Sequence, residues 1–379
     1  MSLKFQEDLK EALSVDDVLL VPQYSTVRSR ADVDLKSRLM VNEHLLSLPV
    51  IASPMDTVSE ADMGIAMGRA GAMAIIHRYN TIEEQAEFVS EVFKRGETDD
   101  YPTIHLGAAI GVIGDYLERA QELFDHGIRV INIDVAHGDH IMTKEAIEAL
   151  RGQFGNYIHI MAGAIATGDA YDHMWQWGVD SVRAGVGGGS ICSTRIQTGH
   201  GVPTFTTVLE CMSRKKHILG TKINGHGSYQ YSSRPPAIIA DGGIKCAGDV
   251  AKMLAAGADF TVIGSLFAGC YETPGLVLTD ELKQNYKIYR GMASRDAQSS
   301  WRDKEIKCAE GITARVPYRG PVLNVLNEIE GGLRSALSYT GAWTLQEFKE
   351  KAKLIRQTQA GADESSTHIL RRYLKYNGA

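Results

Sequence analysis

Several ingredients are scarce in this 379-residue sequence, and each scarcity narrows what it can be. Five cysteines (Cys192, Cys211, Cys246, Cys270, Cys308) form no CxxC pair and no Cys/His cluster at metal-ligand spacing. Neither a disulfide framework nor a zinc site is therefore expected, and a reduced, cytoplasmic chain is. No run of about 18 apolar residues occurs, and the opening Met1-Ser-Leu-Lys-Phe-Gln-Glu-Asp has no apolar signal-like stretch, so no membrane association is expected. Only 10 prolines are present, too few for a proline-rich chain, and 38 glycines without a three-residue period exclude collagen. Excess positive charge is missing too. Lys and Arg number 40 against 46 Asp and Glu, and the net charge of −6 argues against a nucleic-acid partner.

What is present is ordinary globular material, 44% hydrophobic and 23% charged. The length allows two domains of ~150 residues or one (β/α)₈ barrel of ~250 with additions. Eight short apolar runs recur: Pro49–Pro54, Ala72–His77, Ile104–Ile110, Val130–Asp134, Ile158–Gly163, Ser181–Val186, Ala237–Gly243 and Phe260–Ser265. Continuous rather than alternating apolar character suits parallel strands buried on both faces. Helical patterns intervene, at Thr81–Lys94 with a Thr81/Glu84 capping box, at Thr143–Phe154, and at Asp249–Ala256 stopped by Gly257. Eight βα units in series predict an α/β fold, a (β/α)₈ TIM barrel. A doubly wound open sheet is the alternative, and no reversal signal favours it.

The pattern predicts one catalytic domain over residues 1–379, with the barrel at about 49–273. Residues 274–320 are long, charged and loop-like and read as an active-site lid or flap after strand eight. Residues 321–379 read as C-terminal helices and a polar tail, with an amphipathic packing helix at Trp343–Gln357. Lys215–Pro236, rich in Gly, Ser, Tyr and Pro, reads as a surface excursion.

The densest chemical signal follows strand six, Ala184-Gly-Val-Gly-Gly-Gly-Ser-Ile-Cys-Ser-Thr-Arg195. Glycines expose backbone N–H and C=O groups for close approach to a ligand, and Cys192 among hydroxyls with Arg195 nearby is a candidate thiolate nucleophile. Asp241-Gly242-Gly243 and Gly264-Ser265 end strands seven and eight, where barrels commonly bind phosphate. Asp241 would repel a phosphate and suits sugar hydroxyls. A phosphorylated ribose ligand follows.

GGGSICSTR (187–195), ADGGIKCAGD (240–249), IGSLFAG (263–269), YRGMAS (289–294), SPMDTVSE (53–60) and DVAHG (134–138) together resemble the inosine monophosphate dehydrogenase/guanosine monophosphate reductase family, from about Leu13 to His368. The resemblance implies an oxidoreductase acting at purine C2, with Cys192 forming a covalent adduct and hydride exchanged with a nicotinamide. Thr194 matches the residue that moves a proton at C2, and Glu310 its partner. Ser53, Met55, Ser190, Asp241, Gly242, Gly243, Gly264, Ser265, Tyr289, Gly291 and Met292 match nucleotide contacts. Asp134, Val135, Ala136 and Arg78 match the nicotinamide side. Ser29 and Arg30, in a segment similar to the reductase's SRAEVDL, would meet the adenosine end of NADPH, an Arg suiting its 2′-phosphate. Gly187, Gly189 and Cys192 match carbonyl ligands of a monovalent cation, potassium. Glu364, Ser365 and Ser366 resemble ligands from a neighbouring subunit of a homotetramer.

The dehydrogenase branch oxidises IMP with NAD and activates water through an Arg-Tyr pair on a flap. The reductase expels ammonia from GMP and takes hydride from NADPH. Between Met292 and Glu310 this chain has only 17 residues, Ala293 to Ala309, and no Arg-Tyr pair. Reductase is the expectation. IMP dehydrogenase is the alternative, since SPMDTVSEADMGIAMG, DVAHG and the ESSTH tail are closer to that branch. Ala164 stands where the family has Asn, and Gly188 where it has Pro, which would loosen the loop. A modified purine nucleotide or a weakened nucleotide-binding protein are further alternatives; an unrelated phosphate-sugar isomerase barrel would need neither Cys192 nor the lid. No Bateman (CBS) module fits between His77 and Thr81.

Overall fold

The structure is a computed structural model and describes residues 9–39, 45–223, 234–301, 308–365 and 367, with the side chains of 221–223 left aside. All eight expected strands are present. In chain order they are β1 (Val50–Ala52), β2 (Met73–Ile76), β3 (Leu106–Ile110), β4 (Val130–Asp134), β5 (His159–Ile165), β6 (Ser181–Ala184), β7 (Ala237–Asp241) and β8 (Phe260–Ile263). They close into a barrel in which β8 pairs parallel with β1, as do all neighbours around the ring. Every residue of β1, β2, β3, β5, β6 and β8 is buried, which is why they read as unbroken apolar runs.

Alternate strand residues divide the core in two. Ile51, Met73, Ile75, Val130, Met161, Ile239 and Phe260 fill the barrel interior. The hairpin of Ser37–Arg38 with Leu45–Leu46 adds Leu46, plugging the mouth at which the strands begin. The larger outer core lies between strands and helices. The helices are α1 (Ala61–Arg69), α2 (Ile82–Gly96), α3 (Tyr116–Asp125), α4 (Ile141–Phe154), α5 (Gly168–Trp177), α6 (Thr204–Ile223) and α7 (Ala247–Ala256). The Thr81/Glu84 capping box forms in both directions, and α7 stops at Gly257 with φ +119°. α4 starts two residues before Thr143 because His140 caps it through Nδ1.

Three segments differ from the sequence reading. α6 runs on through Lys215 to Ile223, where a surface excursion was expected; Lys215 Nζ pairs with Asp259 at 2.7 Å and ties the helix to the barrel. The rest of that excursion, 224–233, lies outside the described residues. The described residues of 274–320 are not loop throughout. They form an antiparallel sheet of β9 (Leu278–Thr279), β10 (Asn285–Arg290) and β11 (Thr313–Pro317), with α8 (Arg295–Trp301) between the last two strands. The charged look of this segment misleads because Lys287 is buried in β10, its ammonium capping the carbonyls of Cys270, Tyr271 and Thr273.

The eighth helix of the ring comes only after this insertion, as α9 (Val322–Thr340), packed against α7 and α1. The barrel thus extends past residue 273, because the lid is inserted between its last strand and its last helix. The packing helix expected at Trp343–Gln357 splits into α10 (Leu345–Lys351) and β12 (Leu354–Arg356), the latter pairing antiparallel with Val18–Leu20. Two edge strands satisfy each other's backbone groups there, which outweighs helical periodicity. Among the described residues no helix is long and apolar enough to cross a membrane.

Candidate active site

A cavity of about 430 Å³ opens where the barrel strands end. β1 leads into Ser53, Pro54 and Met55; β2 into Arg78 and Tyr79; β4 ends on Asp134, followed by Val135 and Ala136. β6 supplies the glycine loop with Ser190, Cys192 and Thr194, β7 ends on Asp241 with Gly242 and Gly243, and β8 leads into Gly264 and Ser265. The lid adds Tyr289, Gly291, Met292, Ala293, Gln298 and Glu310. Residues separated by some 250 positions thus face one volume, a consequence of strands that all run the same way.

Close backbone approach explains the glycines. A Cβ on Gly185 (φ +143°) would lie 2.1 Å from the Asp241 carbonyl oxygen, and one on Gly188 2.5 Å from Thr204 Oγ1. The loops after β6 and β7 therefore touch through their main chains. Gly188 packs so close to Thr204 that a side chain there would collide with its hydroxyl. Across the cavity, Gly264 admits the Tyr289 ring, whose hydroxyl lies 3.7 Å from Met55 Sδ. Burial pushes the Tyr289 hydroxyl up to about 12, so it stays a donor at neutral pH.

Three reactive side chains line up in series. The Cys192 thiol donates to Thr194 Oγ1 at 3.3 Å, and Thr194 Oγ1 donates to Glu310 Oε2 at 2.7 Å. The order is held by backbone: Ser193 N–H donates to Glu310 O (2.9 Å), Glu310 N–H to Ala293 O (3.1 Å) and Ile312 N–H to Ile191 O (3.0 Å). Arg195 braces the loop from behind, donating to the carbonyls of Val186 and Val202. Its hydrogen bonds go to backbone oxygens, so the thiol's immediate partner is Thr194 and not the guanidinium.

Arg183 was not among the expected site residues. It leaves β6 and crosses the barrel mouth, Nε donating to Asp241 Oδ2 (2.8 Å) and Nη1 to Asp134 Oδ1 (2.6 Å), while Nη2 lies in ion-pair contact with the same Asp241 oxygen at 2.7 Å. Burial opposes its charge, but the Asp241 and Asp134 carboxylates outweigh that and raise its pKa further. The signal was visible: one cation inside an otherwise apolar strand must have a buried partner. Tyr79, which the end of β2 brings to the cavity and which stacks on Trp301 of α8 with centroids 6.1 Å apart, was likewise missed, as was Gln298, which only the folded lid brings there.

The family model described as IMP dehydrogenase / GMP reductase domain matches residues 12–368. An inosine-5′-monophosphate dehydrogenase of Nitrosopumilus maritimus is 32% identical, over 95% of this chain and 99% of that protein. GMP reductases of Ascaris suum and Leishmania major are 33% and 30% identical, each over 95% of this chain and 97% of their own length. The chain belongs to the IMP dehydrogenase / GMP reductase family.

As a member of this family it is an oxidoreductase acting on purine nucleotides with a nicotinamide coenzyme. The Nitrosopumilus alignment runs to 489 positions, so that relative carries sequence this chain lacks; here only residues 77–81 separate β2 from α2. The residues present suit a nicotinamide. Arg78 Nε is buried and has no hydrogen-bond partner among the described residues; it lies 3.7 Å from Asp134 Oδ2, and so offers a donor beside an acceptor to a carboxamide. Ser29 and Arg30 are not brought to the cavity. Ser29 caps the short helix Arg30–Asp32, and Arg30 lies on Tyr339 of α9. The carbonyls expected to hold a cation share one loop, that of Gly189 already accepting Cys192 N–H at 3.1 Å. Glu364 and Ser365 end α11 (Gln359–Glu364), against the chain's first helical turn and away from that loop. Ser366 lies outside the described residues. Ala164 lines the cavity at the end of β5.

Proposed function

We propose that this chain reductively deaminates GMP: GMP, NADPH and two protons give IMP, NADP⁺ and ammonium. The observation that carries this reading is the Cys192–Thr194–Glu310 hydrogen-bond series, together with a lid whose Ala293–Ala309 segment lacks the Arg-Tyr pair needed to activate water. Cys192 attacks purine C2. Its proton passes through Thr194 to Glu310, and the same pair returns a proton to the departing amine, which leaves as ammonia. Gly291 and Met292 hold the base edge and Asp241 the sugar. Ser53, Met55, Ser190, Gly242, Gly243, Gly264, Ser265 and Tyr289 surround the rest of the nucleotide, the protonated Tyr289 hydroxyl serving as a phosphate donor. Arg78, Asp134, Val135 and Ala136 would hold a nicotinamide, which would supply hydride to C2; the C2–Sγ bond would then break, releasing IMP and returning Cys192 as thiolate to take up a proton. Potassium on the carbonyls of Gly187, Gly189 and Cys192, completed by Glu364, Ser365 and Ser366 of a neighbouring copy, belongs to the same reading. So do Ser29 and Arg30 at the adenosine end of NADPH, a cytoplasmic homotetramer, and a single catalytic domain without a CBS module.

A paired spectrophotometric assay of reduced nicotinamide tests it. GMP with NADPH should consume absorbance at the reduced-coenzyme band, and IMP with NAD should produce none. Production with IMP and NAD assigns the chain to the dehydrogenase reaction instead. Cys192→Ala should abolish turnover while leaving GMP binding measurable by calorimetry.

A further inference from the structure

We infer that Arg119, on the outer helix α3, is a positioning residue for the coenzyme: it fixes the turn between β2 and α2 so that Arg78 and Tyr79 face the cavity. This rests on the reading of Arg78 and Asp134 as the nicotinamide side. Arg119 is 3% exposed and is not among the described residues that line the cavity. It donates five hydrogen bonds all the same. Nη1 reaches Asn80 Oδ1 (3.2 Å), Thr81 O (3.3 Å) and Gln85 Oε1 (2.9 Å), and Nη2 reaches Asn80 O (3.0 Å) and Asp115 Oδ2 (3.0 Å). Three of the five end on the turn itself.

The acceptors pass this hold on to the residues that face the cavity. Gln85 Nε2 donates to the carbonyls of His77 and Ala109, each at 2.9 Å, and Asn80 Nδ2 donates to the same His77 carbonyl at 3.0 Å. The His77 ring accepts Tyr79 N–H on Nδ1 at 3.1 Å, which leaves Nε2 to face Glu60 Oε1, also at 3.1 Å. Arg78 is therefore tied down on both flanks while its side chain is left for the cavity. Its guanidinium lies over Gly111, where a Cβ would come within 3.5 Å of Nη1, and its Nε points toward Asp134. Packing α3 against α2 would need only an apolar side chain, and a buried cation is costly unless its donors are met. Here the acceptors belong mostly to the turn and its neighbour Gln85, so what the guanidinium secures is the conformation of the turn. A planar fork that fixes several acceptors at set angles suits that task, and an ammonium does not.

The test is a double-mutant cycle read in coenzyme binding. Kd for NADPH is measured by calorimetry on the GMP-saturated chain in a Cys192→Ala background, and KM for NADPH against kcat on the active enzyme. Arg78→Met and Arg119→Met should each raise both constants by more than about fivefold, with Kd for GMP changed by less than that. Since one arginine acts through the other, the double variant should bind NADPH within about fivefold of the weaker-binding single variant. Losses that multiply overturn the inference, because Arg119 then acts by another route. A smaller effect of Arg119→Met, or an equal loss of GMP binding, overturns it too and leaves the coenzyme-side reading intact wherever Arg78→Met still weakens NADPH. No effect of Arg78→Met overturns that reading and the inference with it. Arg119→Lys, which keeps the charge but has three donors, takes the place of Arg119→Met should the latter fail to fold. If IMP and NAD prove to be the reacting pair, the same cycle is run with them, so the direction of the reaction and the role of Arg119 are decided separately.

Discussion

Arg183→Met keeps the bulk of a long unbranched side chain and removes the charge that joins β4, β6 and β7. Three hydrogen bonds disappear, to Asp241 (2.8 Å), Asp134 (2.6 Å) and Asn132 (3.4 Å), with the ion-pair contact of Nη2 to Asp241 Oδ2 at 2.7 Å. The two carboxylate side chains are only 16% and 18% exposed, so water replaces the guanidinium poorly. Breaking a buried pair by removing one partner costs about 3–5 kcal/mol. Since both carboxylates reach the cavity and can take some water there, the lower end, about 3 kcal/mol, is expected. Urea midpoints of variant and wild type at neutral pH measure the loss directly. Adding Asp241→Asn should recover part of the loss, since one stranded charge goes with it. A loss under about 1 kcal/mol would refute the argument that this arginine neutralises both carboxylates.

Glu310→Gln keeps the shape of the Thr194 partner but cannot hold the proton, so kcat should drop by about 10²–10⁴-fold with KM for the nucleotide little changed. Thr194→Val should cost a similar factor, and the double variant little more than either alone, since both act on one proton path; additive losses in steady-state kinetics would contradict this. His159, 2% exposed at the start of β5 and bonded to Ser181 Oγ at 2.8 Å, has its pKa pulled down to about 4 by burial. The unfolded chain protonates it first, so stability is lost as pH falls from the ordinary histidine range toward that value, by about 3 kcal/mol in all. In His159→Gln the acid limb of a stability–pH curve should flatten by a comparable amount; a curve parallel to wild type would place the acid sensitivity elsewhere.

What the sequence made legible follows from which physical constraint each residue obeys. Strands buried on both faces must be apolar throughout, so β1 to β8 stood out, and loops that approach one another through backbone must be glycine, so the turns after β6 and β7 did as well. β10 escaped because Lys287 satisfies its charge on three carbonyls that no local pattern foretells. β12 escaped because its partner, Val18–Leu20, lies at the opposite end of the chain. Glu310 could be placed beside Thr194 only by resemblance, since 116 positions and a whole lid separate them. Arg183 hid inside a strand that was otherwise the easiest kind to read.

The main-chain bonds between the glycine loop and the returning end of the lid have a mechanical meaning. Ile191, Ser193, Ala293, Glu310 and Ile312 are stitched to one another, with Cys192 bridged to Gly311. Glu310 is thus anchored at the hinge line and does not ride on the span between Ala293 and Ala309. Sequence changes within that span can reshape what covers the coenzyme side, and its length can drift, without taking the carboxylate out of register with the thiol it serves. The proton-handling apparatus and the cover are separate inheritable parts, joined at a seam of backbone.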